Sequence, residues 1–210
     1  MTGFPARPLK GAAGAALAVV VLGGCMHITE ATSINGNGSS MLTETLTFNP
    51  SVLSALGGEG KLVKSFATSA DKQLPGHAKV SAFTDSAGWK GVEARVALAN
   101  LSQLEKIETS TSGGGNPPFS KFSVSHTGSQ WSLVGQVNKG FASQGSSAKT
   151  SAGATGPTLA QLKAAGFKYV VSFRVPGKIV SDNATSRSGN NLSWNMLQTH
   201  SVVKAAWTAG

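Results

Sequence analysis

The chain has 210 residues and a formal charge of +9, from 18 Lys and Arg against 9 Asp and Glu. That length suits one domain with a substantial core. With 13% charged residues and 26 glycines, the composition favours strands and loops over long charged helices. The single cysteine excludes an internal disulfide, and the scattered lysines argue against a nucleic-acid surface.

The N-terminus reads as an export signal. Arg7 and Lys10 form a basic segment, and Gly11–Leu22 is uncharged. Such a run suits a signal peptide and is short for a bilayer span, which needs roughly 20 apolar residues. Leu22-Gly23-Gly24-Cys25 then has the form of a bacterial lipobox. Small residues fit a narrow peptidase site, and the Cys25 thiol is the nucleophile that accepts a diacylglyceryl group. Residues 1–24 are expected to be removed, and residues 25–210 to form a single extracytoplasmic domain with a flexible insertion at 139–156. The alternatives are an ordinary secretory peptide with an unmodified Cys25, or an uncleaved anchor. Two or more acyl chains hold a protein stably at a membrane, since each buried CH₂ contributes about 0.8 kcal/mol. Without Arg7 and Lys10 the charge is about +7. A basic exported domain should be drawn to anionic headgroups or wall polymers.

Met26–Ile34 alternates loosely, Asn35-Gly36-Asn37-Gly38 is a turn, and Ser39–Phe48 alternates again with Leu42, Leu46 and Phe48 on one face. This predicts a hairpin directly after the anchor. Glu30 and Glu44 fall on opposite arms and are expected at solvated or cross-strand positions. Asn49-Pro50 opens a short helix that Gly57-Gly58 ends. Glu59–Gln73 has helical spacing at Leu62, Val63, Phe66 and Ala70. It is expected to pack across a sheet or else to lie on lipid.

Leu74-Pro75-Gly76 breaks that helix. Strands are predicted over His77–Thr84 and Gly91–Leu98, with a turn at Asp85–Trp89, and Leu101–Ile107 reads as a helical turn. Phe119–Ser125 and Gln130–Val137 predict another hairpin, beyond the loop Thr109–Pro118. A helix is expected from Pro157 to Ala165. Lys168–Val175 is the clearest strand, with Tyr169, Val171, Phe173 and Val175 on one face. Val175-Pro176-Gly177-Lys178 has the residues of a type II turn or a bulge, Ile179–Ser181 continues outward, and Asp182–Asn191 reads as a polar turn. Leu192, Trp194 and Met196 alternate on a returning strand, and Val202–Trp207 is the last. Hairpins imply antiparallel pairing, and helices between them must cover a sheet face. The fold class is therefore α+β: a curved antiparallel sheet of about seven or eight strands carrying two to four short helices.

The segment Phe167–Val180, with Asn183, Gly189 and Leu192-Ser193-Trp194, resembles the closing part of the LppM domain of actinobacterial lipoproteins. The lipobox cysteine, Ile34–Gly38, the threonine-rich strand and Gly88-Trp89-Lys90-Gly91-Val92 are similar to its earlier parts. The resemblance spans about residues 25–207 and rests on turn and strand patterns. It implies a membrane-anchored α+β domain on the cell envelope, with binding of phosphatidylinositol-mannoside-type glycolipids proposed for a mycobacterial member. Many members continue into a C-terminal transmembrane helix. The sequence to Gly210 holds no such run, which leaves the acyl chains (palmitate or similar) on Cys25 as the expected attachment.

The four histidines are not spaced as metal ligands, and no Gly-x-Ser-x-Gly or Walker loop is present. An enzyme is not expected, nor any metal or cofactor beyond the covalent lipid. Trp89, Trp131, Trp194 and Trp207 are read as core or hairpin packing, or else as stacking on sugars or lining a lipid groove. Arg174 and Lys178 flank the Pro-Gly turn, as an exposed basic face or as partners of a lipid phosphate. Ligand-binding candidates are therefore Arg174, Lys178, Trp194 and Trp89, and Cys25 is the lipidation site. The expected function is an extracytoplasmic, membrane-anchored lipoprotein that binds glycolipid or anionic lipid through an apolar groove with a basic rim. The alternative is an interaction lipoprotein that binds an envelope protein and no lipid.

Overall fold

A computed structural model of the chain describes residues 26–73, 78–110, 117–138, 163–199 and 201–209. The expected signal peptide, Cys25, the Leu74–Gly76 break, the expected insertion at 139–156 and most of the helix expected at Pro157–Ala165 lie outside them. The described residues form eleven strands and three helices.

The hairpin expected after Cys25 forms as its pattern requires. β1 (Met26–Ile34) pairs antiparallel with β2 (Ser40–Phe48), from Met26 opposite Phe48 to Ile34 opposite Ser40. Asn35 closes the turn, its N–H bonding to the Ser39 carbonyl at 2.8 Å, and Gly38 supplies a φ of 82° that a side chain would resist. Helix α1 (Pro50–Ala55) starts on Asn49, whose side chain accepts from the Ser51 N–H at 2.8 Å. Gly57 and Gly58, at φ 89° and 84°, end it. Helix α2 (Glu59–Gln73) buries Phe66 and Ala70, part-buries Leu62 and Val63, and leaves Lys61 and Lys64 exposed. Its apolar stripe packs on β3 (Lys79–Thr84) and β4 (Lys90–Leu98), so of the two roles expected for it, packing is the one observed.

Helix α3 (Leu101–Glu108) is capped by Asn100, which accepts from the Gln103 N–H at 3.0 Å, while the Gln103 side chain reaches back past the cap to accept from the Ala99 N–H at 2.8 Å. The remaining strands are β5 (Phe119–Thr127), β6 (Gln130–Val137), β7 (Lys168–Arg174), β8 (Lys178–Asp182), β9 (Ser186–Ser188), β10 (Asn191–Asn195) and β11 (Val202–Thr208).

The α+β class stands, with a different arrangement of strands. There are two sheets: a seven-stranded one in the order β3-β4-β2-β1-β7-β10-β9, and a four-stranded one in the order β5-β6-β11-β8. β1 and β7 run parallel, with His27 opposite Lys168 and Ser33 opposite Arg174. The Pro176-Gly177 turn does not fold β8 back on β7. It carries the chain into the other sheet, where β8 pairs with β11. The segment expected as a polar turn, Asp182–Asn191, holds the short edge strand β9.

Period-two alternation sorts the side chains of the large sheet. Leu42, Leu46, Phe48, Val92, Val96, Tyr169, Val171, Phe173, Leu192 and Trp194 are buried on the inner face. The helices cover part of this face and the small sheet covers the rest. Phe122 of β5 stacks on Phe173 of β7 at 5.4 Å, and Phe173 meets Trp194 edge-on at 6.1 Å. Both sheets contribute to one hydrophobic cluster. Each fully buried large side chain in it contributes roughly 1.5–3 kcal/mol.

Candidate functional site

The outer face of the large sheet is built differently. The same alternation that buries the leucines turns Thr29, Ala31 and Ser33 of β1, Thr43 and Thr45 of β2, and Ser172 and Arg174 of β7 outward. Near the end of these strands, beside the turn Ser188–Asn191, lies an open concavity of about 640 Å³. Ser33, Thr43, Ser172, Asn190 and Asn191 line it with hydroxyl and amide groups, Ala31 and Met41 add apolar surface, and Arg174 supplies a cation. Met41 is 42% exposed there, one of the large apolar side chains left open to water.

A second cluster lies on the inner face. Glu30 and Glu44 are directly opposite in the β1–β2 register. They sit in the same row as Leu42 and Leu46, so the sheet points both carboxyls inward. Glu108, the last residue of α3, is 1% exposed and faces the Glu30 carboxyl. Thr32, also buried, lies beside it. The Tyr169 hydroxyl donates to Glu30 Oε2 at 3.4 Å.

Burial pushes Glu44 up to about 7, helped by the charge of Glu30. Burial also raises Glu30, offset in part by Glu108 and Tyr169, and raises Glu108 strongly, reinforced by the charge of Glu30. A carboxylate at a helix C-terminus meets the negative end of the helix dipole, which further favours its neutral form. Near neutral pH the group therefore shares protons rather than carrying three full charges. Glu30 and Glu44 are cross-strand, as expected, and half-buried on the inner face. Glu108 carries no distinguishing motif.

A third arrangement lies at the end of the sheet where β1 begins. His27 Nδ1 is 3.1 Å from Asp85 Oδ2 and stacks on Trp89, with centroids 3.9 Å apart. Burial alone would raise Asp85. The N–H groups of Trp89 and Ala87, with His27 and the Thr47 hydroxyl, instead hold it below its ordinary value.

The four ligand candidates do not converge. Arg174 is exposed in the concavity. Lys178 is exposed at the start of β8 in the other sheet. Trp194 is fully buried, its indole N–H donating to Asn183 Oδ1 at 3.0 Å. Trp89 is half-buried at the opposite end of the large sheet from Arg174, about 20 Å away at roughly 3.3 Å per residue of strand. Among the described residues no group of three or more His, Cys, Asp or Glu is arranged to hold a metal ion. No helix among them is long and apolar enough to cross a membrane.

No protein-family model and no curated protein matches the sequence. A solved structure does match: the folded domain of LppM from Mycobacterium tuberculosis, 15% identical, covering 89% of this chain and 91% of that one with a TM-score of 0.50. The fold is that of the LppM domain. The resemblance of Phe167–Trp194 to the closing part of the LppM domain is thus matched by the fold of the chain. In this fold β7 lies beside β1 and β10 beside β7, so the residues that carried the resemblance build the half of the large sheet next to β1 and one wall of the concavity.

Proposed function

We propose that the chain is a lipoprotein of the cell envelope, held on the extracytoplasmic face by acyl chains on Cys25, whose domain binds the headgroup of a glycolipid or anionic lipid. The LppM fold and the lipobox support the first part. The observation that carries the second is the concavity at Arg174. A guanidinium offers a fork of donors to a phosphate, hydroxyl and amide side chains suit sugar hydroxyls, and Ala31 with Met41 suits the less polar face of a sugar ring. This lining fits a headgroup better than an acyl tail, because the long apolar side chains of these strands are spent in the core. Arg174 is the working member of the candidate set in this reading. Trp194 holds the fold, and Lys178 belongs to the other sheet.

The test is native mass spectrometry of the acylated chain, released from detergent and exposed to a phosphatidylinositol mannoside or to phosphatidylglycerol. A stoichiometric adduct that is lost in Arg174→Glu is expected. Folded protein that never retains either lipid would remove the proposal.

A second reading, a protein-binding lipoprotein, draws on the sheet edges. β3 and β9 each pair on one side only, and the residues of β9 are all exposed. Open edges invite strand addition by a partner. Crosslinking from β9 would capture such a partner while the domain stayed free of lipid.

A further inference from the structure

The start of β1 leaves no room for a tether. Met26 is buried at 6% exposure and already paired opposite Phe48, and His27 is paired on both sides, with Thr47 and Lys168. Cys25 is one peptide bond earlier, about 3.8 Å between Cα atoms. An acyl-bearing Cys25 therefore ties the bilayer to a rigid element of the fold.

The surface at that end has matching chemistry. Lys168 opens β7 on one side of β1, and Lys90 opens β4 two strands away on the other; both are exposed. Asp85, the acidic residue of the turn before Lys90, is already engaged by His27, Thr47 and two backbone N–H groups. Trp89 sits in the same turn, half-buried against His27. Lysines bracketing an indole are the side chains that settle at a headgroup layer, the cations toward anionic lipid and the ring at the boundary.

We propose that this end of the large sheet, presented by Trp89, Lys90 and Lys168, lies against the headgroups of the bilayer and fixes the domain upright on it. The inference rests on the lipid-anchor reading of Cys25. It places the concavity at the far end, since β7 runs from Lys168 at the membrane to Arg174 about 20 Å above it at roughly 3.3 Å per residue. Trp131 and Trp207, which pair with each other, go to the far end too, because Thr208 is opposite Lys178 just after the Pro176-Gly177 turn.

The four tryptophans make the test. The acylated full chain is reconstituted in vesicles of phosphatidylglycerol and phosphatidylcholine that carry a nitroxide on a fraction of the headgroups. Part of the tryptophan emission should be quenched. Trp89→Phe should abolish most of that quenching, and Trp131→Phe should leave it in place. In Lys90→Glu with Lys168→Glu, both exposed positions, quenching should fall. Chain that is acylated and floats with the vesicles, yet keeps its quenching in Trp89→Phe or loses it in Trp131→Phe, would overturn the orientation alone. An unmodified Cys25, read from the intact mass, would overturn it together with the anchor on which it rests.

Discussion

Glu30 of β1 and Glu44 of β2 face each other directly across the strand pair, on the side of the sheet that carries the core. With Glu108 they make a buried acidic group whose members are all shifted up, Glu44 to about 7 from an ordinary 4.5. The folded chain thus holds more protons than the unfolded chain above pH 4.5, and stability falls as pH rises through the folded values. At about 1.4 kcal/mol per pKa unit, Glu44 alone favours acid conditions by roughly 3 kcal/mol. Thermal melts of the full chain should give a lower Tm at pH 8 than at pH 5. Glu44→Gln should shrink that difference and raise the Tm at pH 8. A Tm that climbs from pH 5 to pH 8 would contradict the buried-acid account.

Asn183 joins the two sheets. Its side-chain oxygen accepts from the Trp194 indole at 3.0 Å and from the Lys204 N–H at 2.7 Å, and its amide donates to the Val202 carbonyl at 2.7 Å. Asn183→Ala leaves the buried indole unpaired, at a cost of about 1–3 kcal/mol. Urea unfolding should show the loss as a lower midpoint with an unchanged slope.

Gly177 has a φ of 97°, and a Cβ added there would collide with the carbonyl oxygen of Thr208. Gly189 has a φ of 56° with open space around it. Gly177→Ala should cost about 2 kcal/mol or more, through collision added to strain, and Gly189→Ala about 1 kcal/mol through strain alone. Equal midpoints in urea would show that the close approach to β11 is not what demands the glycine.

Arg174 is exposed and its guanidinium has no role in the core. Arg174→Ala should change stability by about 0.5 kcal/mol or less and remove headgroup binding. A drop in Tm comparable to that of Asn183→Ala would assign the residue to the fold instead.

Local signals carried most of the elements. The turn at Asn35–Gly38, the Asn49-Pro50 start, the glycine pair that ends α1 and the alternation in Lys168–Val175 each act within a few residues, and the structure follows them. The inward carboxyls, expected only at solvated or cross-strand positions, had a local signal that went unread. The turn fixes the pairing of β1 with β2, and Glu44 stands between Leu42 and Leu46 in the same alternating row, so the row buries it. Glu108 was not legible, because the last turn of a short helix does not reveal what it covers. The parallel pairing of β1 with β7 joins distant segments, and no turn announces it. The departure of β8 into a second sheet was hidden because a Pro-Gly bend read as a turn or bulge in a continuing strand does not say which sheet the next residues join. The concavity depends on that long-range pairing, so Arg174 could be singled out by type but not placed among Ser33, Thr43 and Asn191.

The position of β1 also has a mechanical side. It is gripped along its whole length by β2 and over His27–Ser33 by β7. A pull between the membrane and a ligand held at the far end would enter at Met26 and load these bonds in shear, together, instead of peeling them one by one. Resistance to such a pull is set by the unfolding rate under force. Under load from Cys25 the domain should yield only at high force, whereas the same pull applied across the edge strand β9 should unzip it at low force.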